Sequence, residues 1–383
     1  MNLQGQVQQG MAGAGAGLTT DAASLFFNPG GMSFVERSQV SLGSSFTFTR
    51  GNFYEHNTLE IGEMVSPVGT PFTAYGVFGL GDSSKLKLGL GVYTPFGSTV
   101  EWNEGWSGRF ALTRLQLMSI FVQPTVSYKI TKSLGIGAGF VYSYGKVNLQ
   151  KDIPIVDQEG SYARAELDGT GYGLGYNVGV FYEPSKLFSV GFSYRSQVDM
   201  NLTSSSATFT VPSSLAENFP NGPFVSSLPL PQVFTLGFGS RPTNEWSVAL
   251  DINYVGWNAF DTLSFDYENN TETLEDTKSA RIYENTFAFR AGVEYKFMPN
   301  WKGRFGLAYA LTPVPDGYVS PETPDADRLN YTFGIGYSIH DFVMDASLLY
   351  TTLEREDTNL ETNLSGLFRT RVIVPGISIA YKL

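Results

Sequence analysis

Between Leu134 and Gly145 the chain reads LGIGAGFVYSYG. In an extended strand Leu134, Ile136, Ala138, Phe140, Tyr142 and Tyr144 share one face, and Gly135, Gly137, Gly139, Val141, Ser143 and Gly145 share the other. One face suits lipid and the other is small. The same period of two returns at Tyr172, Leu174, Tyr176, Val178, Val180 and Tyr182, with Gly171, Gly173, Gly175, Asn177 and Gly179 between them. It returns again at Leu329, Tyr331, Phe333, Ile335, Tyr337 and Ile339. From about Ser38 onward most of the chain reads this way, which predicts an all-β protein.

Composition places those strands in a membrane. Charged residues make up 16% of the chain, well under the ~25% usual for soluble domains. The uncharged stretch Met64 to Gly81 is long enough for a spanning helix, yet Pro67, Pro71, Gly69, Gly76 and Gly79 interrupt it. At a mean hydropathy of -0.08, a membrane protein must hide its polar groups, and a closed barrel turns them into its lumen. Cysteine is absent, which removes disulfides and thiol chemistry. The net charge of -11 argues against a nucleic-acid partner and reads as acidic loops facing water. No cleavable export signal is visible in MNLQGQVQQ, so a mature form beginning at an introduced or retained Met is expected.

A soluble sandwich also alternates, so connection lengths must discriminate. Tight turns fall at Asp82-Ser83-Ser84-Lys85, Thr131-Lys132-Ser133, Glu183-Pro184-Ser185-Lys186, Arg241-Pro242-Thr243-Asn244, Met298-Pro299-Asn300 and His340-Asp341. Long polar segments lie between them, near 51–69, 97–114, 150–168, 203–229, 258–281, 314–327 and 354–366. Short and long connections therefore alternate, as periplasmic turns and external loops do in outer-membrane barrels. The count is fourteen antiparallel strands, with twelve and sixteen inside a boundary error of a few residues. Ile373, Ile377, Ile379, Tyr381 and Leu383 alternate to the last residue, and Tyr (21) and Phe (29) suffice for two aromatic girdles. The ending resembles a barrel assembly signal, though Leu383 stands where Phe is more familiar.

Residues 1–37 differ. Gln4 to Met32 carries Gly10, Gly13, Gly15, Gly17, Gly30 and Gly31 without alternation. Thr19, Thr20 or Asp21 is placed to cap a short helix through Phe27, which Asn28-Pro29 and the glycines end. A small, partly helical segment ahead of a barrel at 38–383 is positioned to plug its lumen.

The stretch GMAGAGAGLTTDAASLFFNPGGMSF, Gly10 to Phe34, resembles the N-terminal hatch of the FadL/TodX family of outer-membrane transporters for fatty acids and aromatic hydrocarbons. Its Asp21-Ala22 pair and Asn28-Pro29-Gly30 triplet match that pattern, with Gly30 in place of the usual Ala. GLGVYTPFGSTVEW (Gly89 to Trp102), Tyr194-Arg195-Ser196, LPLPQ (Leu228 to Gln232) and SPETPDADR (Ser320 to Arg328) are similar to later family segments. The resemblance implies a fourteen-stranded barrel occluded by the hatch, apolar substrate pockets and a lateral opening in the wall. It also implies a bacterial outer-membrane location, passive transport of hydrophobic compounds, and membrane lipid and lipopolysaccharide as partners around a monomer. The family usually starts with a few apolar residues, where this chain has Met1-Asn2-Leu3.

Asn28, Pro29, Gly30 and Asp21 are the gating candidates, against the plain reading of a turn and helix stop. Phe26 and Phe27 either face substrate or pack the plug. Pro95-Phe96-Gly97 closes the regular run Lys87 to Tyr93; proline donates no ladder bond, so this is a kink beside a side hole or a strand end. Lys146, Lys151 and Arg164 fall where the family places a basic contact, and Lys151 is the candidate for a fatty-acid carboxylate, against ordinary solvated charge. Gly13 to Gly17 and Gly171 to Gly175 lack the strand-turn-helix context of nucleotide loops. His56 and His340 fall at opposite ends of the barrel, so no catalytic pair forms, and no cofactor, metal or enzymatic activity is expected. Two other readings stand beside transport: a structural barrel serving secretion or surface-protein assembly, and a general porin.

Overall fold

The computed structural model describes residues 3–56, 58, 60–79, 81 and 84–383. Asp82 and Ser83 of the first expected turn, and Met1 and Asn2 of the expected short start, lie outside the described residues. Alternation becomes wall strands in the order β1 (Gln39–Ser45, resuming as Phe48–Glu55), β2 (Ile61–Glu63 and Phe72–Gly79), β3 (Leu86–Tyr93 and Gly97–Glu101), β4 (Arg114–Lys129) and β5 (Leu134–Val156). There follow β6 (Tyr162–Ser185), β7 (Phe188–Arg195 and Val198–Thr210), β8 (Phe224–Leu230 and Val233–Ser240), β9 (Trp246–Val255) and β10 (Thr286–Met298). The last are β11 (Trp301–Ala310), β12 (Arg328–Ile339), β13 (Phe342–Thr358) and β14 (Ser365–Lys382). Each pairs antiparallel with the next, and β14 returns to β1 through Ile379 opposite Leu42 and Ile373 opposite Phe48. The ring is fourteen-stranded and closed, so every backbone donor along a regular wall strand has a neighbour.

The two faces behave as the alternation requires. Phe140 (51% exposed) and Tyr172 (50%) point outward, whereas Val141 (1%) points in. Beside the tight turns, Trp246 stacks on Tyr295, Trp301 packs on Tyr337 and Phe342 on Tyr381. These pairs form an aromatic girdle at the turn side. One group of inward-pointing charges is satisfied internally: buried Arg304 donates to Glu294 (2.7 Å) and Asp345 (2.6 Å), and Lys302 also reaches Glu294 (2.7 Å). No described helix is long and apolar enough to cross a membrane.

Several connections expected to be loops are strand instead. The segment near 150–168 is mostly β5 and β6, joined by residues 157–161. The segment near 258–281 holds a hairpin, Thr262–Tyr267 with Thr277–Ala280. The turn expected at Glu183 to Lys186 falls at residues 186–187. Beyond the lipid the outward face meets water and the inward face packs on the loop core, as Leu149, Ala165 and Leu167 do, so pairing continues without the outward apolar run that marks a wall.

Residues 3–35 sit inside the ring. They form α1 (Gln6–Gln9), α2 (Ser24–Phe27) and a 3-10 turn Gly31–Phe34. α1 has no counterpart in the sequence expectation. α2 starts at Ser24, and Asp21 rather than a threonine accepts the Ala23 N–H at 3.0 Å. Polar bonds tie the segment to many strands: Gln9 to the Val374 carbonyl, Ala12 N–H to Thr332, Gly15 and Ala16 N–H to Asp251, and Ser33 N–H to Ser127.

Candidate functional site

Strand β3 carries the main irregularity of the wall. Its first half pairs with β2 up to Tyr93 opposite Thr73, and the last bonds there join Thr94 N–H to the Phe72 carbonyl (3.2 Å) and Phe72 N–H to Thr94 Oγ1 (3.0 Å). Contact resumes where Val65 N–H meets the Glu101 carbonyl at 2.8 Å. Among the described residues no ladder pair joins 66–71 to 95–100. Pro67, Pro71 and Pro95 supply no donors there, and the β2 side turns to β1 instead, with Thr47 and Gly69 exchanging both backbone bonds. On its other side β3 stays paired with β4, through Tyr93 opposite Phe121 and then Gly97 opposite Met118. Pro95, Phe96 and Gly97 therefore mark an interruption inside a strand rather than its end. Sequence reading marked Pro95 to Gly97 and passed over the facing side of the unpaired stretch, Ser66 to Pro71, although its two prolines had already excluded a helix.

Behind the interruption lies a buried apolar cluster. Phe26 packs edge-on against Tyr93 (5.1 Å) and Phe27 (5.0 Å), and Phe96 lies 6.2 Å from Phe121. Leu25, Met32, Val141, Met200 and Leu230 complete the same core. Phe27 is buried, and its ring carbons lie where a side chain on Gly15 would begin, so Phe26 is the member of the pair with free surface. Arg195 stands over the Phe26 ring at 4.1 Å and donates to Tyr93 Oη (2.8 Å) and the Phe26 carbonyl (2.9 Å). The sequence marked Tyr194-Arg195-Ser196 as a family segment but gave Arg195 no role. Its neighbours come from the N-terminal segment and β3, which no local spacing reveals.

Asn28 anchors the next turn. Its Nδ2 donates to the Ala16 (2.9 Å) and Val180 (3.0 Å) carbonyls, and its Oδ1 accepts the Gly30 N–H (3.0 Å). A Cβ on Gly30 would lie 2.7 Å from the Gly179 carbonyl oxygen and 2.9 Å from that of Gly135. Gly30 therefore permits backbone contact with β5 and β6 that alanine would obstruct. Asp21 lies on another flank: it binds Gln8 Nε2 at 3.0 Å and lines a polar cleft of about 140 Å³ with Arg304 and Asp345.

Lys151 stands apart, in the part of β5 beyond the lipid-facing run that ends at Tyr144. Lys146 and Arg164 are paired with Asp168 (3.6 Å) and Asp152 (3.5 Å), whereas Lys151 has no hydrogen bond or ion pair among the described residues. Burial pushes its amine below the usual lysine range, and the negative charge of Glu322 partly restores it. Glu322 itself pairs with Arg281 at 3.0 Å. His56 lies by Glu356 in an outer loop and His340 in the β12–β13 turn, so the two histidines share no site.

A closed fourteen-stranded ring with a lipid-facing apolar band and a polar interior defines an outer-membrane β-barrel. The family of outer membrane protein transport proteins (OMPP1/FadL/TodX) matches residues 2–381, and the chain belongs to it. The long-chain fatty acid transport protein of Escherichia coli O6:H1 is 22% identical over 88% of this chain and 81% of its own length. Outer membrane protein P1 of Haemophilus influenzae is 23% identical over 86% of this chain and 80% of its own. Among solved structures, a Pseudomonas aeruginosa FadL homologue superposes with a TM-score of 0.85 at 17% identity, covering 99% of this chain and 98% of that one. The Ralstonia pickettii toluene transporter TbuX gives 0.75 at 17% identity, with the same coverages. The protein resides in the bacterial outer membrane, in a family of transporters and channels rather than enzymes.

Proposed function

We propose that this protein passes hydrophobic small molecules, long-chain fatty acids or aromatic hydrocarbons, across the outer membrane without an energy source. The observation that carries the reading is the unpaired stretch between β2 and β3 lying against the Phe26–Tyr93–Phe96 cluster. Substrate is captured among the external loops, where Lys151 and its apolar surroundings suit a carboxylate with a long tail. It then seats on Phe26, above residues 1–37 acting as a hatch, with Asn28, Pro29, Gly30 and Asp21 holding the closed form. When the hatch shifts, the molecule leaves sideways past Pro95, Phe96 and Gly97 into the bilayer. The overall passage from water to bilayer is downhill because each methylene removed from water gains ~0.8 kcal/mol. Likenesses to a fatty acid transport protein and a toluene transporter support this substrate class. In this reading the working unit is a monomer surrounded by lipid and lipopolysaccharide, in keeping with a ring that closes on itself.

Equilibrium binding of a radiolabelled long-chain fatty acid to the purified protein tests the pocket. Phe26→Ala removes roughly 1.5–3 kcal/mol of apolar contact, a loss of about 10- to 100-fold in Kd. Unchanged affinity in a heat-modifiable, folded variant would remove Phe26 from the pocket. Absence of saturable binding by the wild type, with a large partner protein copurifying, would favour the assembly-barrel alternative.

A further inference from the structure

The lipid-facing wall is not evenly filled. Across β11, β12, β13, β14 and β1 one register row reads Gly303, Ile335, Ala346, Ile377 and Ser44, so three of its five positions are small. The row on the turn side is large throughout: Trp301, Tyr337, Met344, Ile379 and Leu42. The row on the loop side begins Phe305, Phe333, Leu348 and Pro375. Small positions between two bulky rows leave a depression of about 630 Å³ around Ala346, with an almost wholly apolar surface. Its flanking side chains face the bilayer, with Leu42 63% and Ile377 59% exposed.

Depth and chemistry decide the occupant. Ala346 is five residues from Asp341 of the β12–β13 turn, roughly 16 Å along the strand and about 12 Å in depth at a usual barrel tilt. That depth lies in the hydrocarbon of the leaflet nearest the tight turns, the periplasmic leaflet, whose apolar chains belong to phospholipid. At the rim Arg37 is half exposed, pairs with Asp341 at 2.7 Å and donates to the Lys382 carbonyl at 3.0 Å. We propose that this depression seats one acyl chain of a periplasmic-leaflet phospholipid, with the Arg37 guanidinium at the level of the phosphate. A free fatty acid leaving through the wall would suit the same cavity, but phospholipid outnumbers it in the bilayer and brings its phosphate to the level of the half-exposed Arg37, beside the Asp341 carboxylate that Arg37 already holds. The row also reaches the proposed exit, since Ser44 pairs with Phe72, the last β2 residue bonded to Thr94. The bound chain therefore lies beside the edge of the unpaired stretch, although its binding does not depend on the transport reading.

The test reconstitutes the full chain in vesicles of phosphatidylethanolamine and phosphatidylglycerol. A trace of phosphatidylethanolamine carries a photoactivatable group in its acyl chain, and labelled peptides are mapped by mass spectrometry. Labelling should concentrate at least fivefold on peptides holding Leu42, Ile335, Ala346 and Ile377 relative to those holding Phe140 and Tyr172 on the far wall. Ala346→Phe, which fills the depression from the lipid side, should return it to the level of the far wall. Ser44→Leu provides a second fill if that variant folds poorly, with heat-modifiability as the check. Even labelling around the ring, or labelling indifferent to both fills, would overturn the proposal. Displacement by an equimolar free fatty acid but not by unlabelled phospholipid would also overturn it and assign the depression to transported substrate.

Discussion

Lys151 is a cation whose cost of burial no bonded partner repays. Its depressed pKa means that the amine loses its proton below 10.5, the ordinary lysine value. A carboxylate bound beside it favours the charged form, so carboxylate binding should weaken as pH rises from neutrality through that depressed pKa. Binding of toluene, which has no charge, should stay level. Lys151→Met should lose about 1.5–3 kcal/mol for the acid, roughly 10- to 100-fold in Kd, and should flatten its pH profile. Binding titrations of both ligands against pH check this, and an acid profile that keeps its slope in Lys151→Met would assign the titration elsewhere. At this scale the sequence was informative where chemistry is local. Pro95 and Gly97 announce a broken ladder, and Asn28-Pro29 announces a turn. Arg195 and Tyr93 were silent, because their meeting with Phe26 depends on how a segment inside the ring faces its wall.

The N-terminal segment and the wall are elements of opposite character that meet through backbone. Gly17 shows how closely: a Cβ there would lie 2.4 Å from the Phe238 backbone nitrogen and 2.5 Å from the Gly237 carbonyl carbon. Neither strand atom can yield without breaking β8 pairing. Gly17→Val should therefore leave the ring folded, since its strands begin at Gln39, but lift this flank of the segment. Single-channel recordings in planar bilayers should show several-fold higher ion conductance than wild type. Conductance at the wild-type level in a folded variant would mean that this seam does not seal the lumen. Such seams are invisible to periodicity, because Gly10 and Gly17 read as loop composition until the opposing wall glycines, Gly334 and Gly237, are placed. Strand ends misled for a related reason: β5 and β6 run on above the membrane with the faces reversed, Leu149, Ala163, Ala165 and Leu167 packing inward on the loop core while polar residues such as Arg164 and Glu166 face outward, so the lipid-facing apolar run that identified them lower down is gone.

For the whole molecule, ring closure was legible because every wall strand must bury one face in lipid and line the lumen with the other. The alternation of tight and long connections then gave the strand number and orientation. What closure hides is the place where it fails. All donors in a bilayer wall must be satisfied, yet between 66–71 and 95–100 three prolines withdraw donors and β2 turns its remaining bonds to β1. A wall that leaves this stretch unpaired beside a buried aromatic cluster is suited to pass an apolar molecule sideways. Pro95→Val with Gly97→Val restores a donor and favours extended geometry at the lip. A Cβ at residue 97 meets only the Leu117 carbonyl oxygen at 3.4 Å, so the ring should accept the change. The decisive measurement is uptake of a radiolabelled long-chain fatty acid by cells relying on this protein, at matched surface expression and heat-modifiability. The double variant should lose about 10-fold or more in initial rate, a barrier increase of roughly 1.4 kcal/mol or above, while purified protein binds the acid as before. Wild-type uptake by the well-folded double variant would contradict lateral exit through this wall.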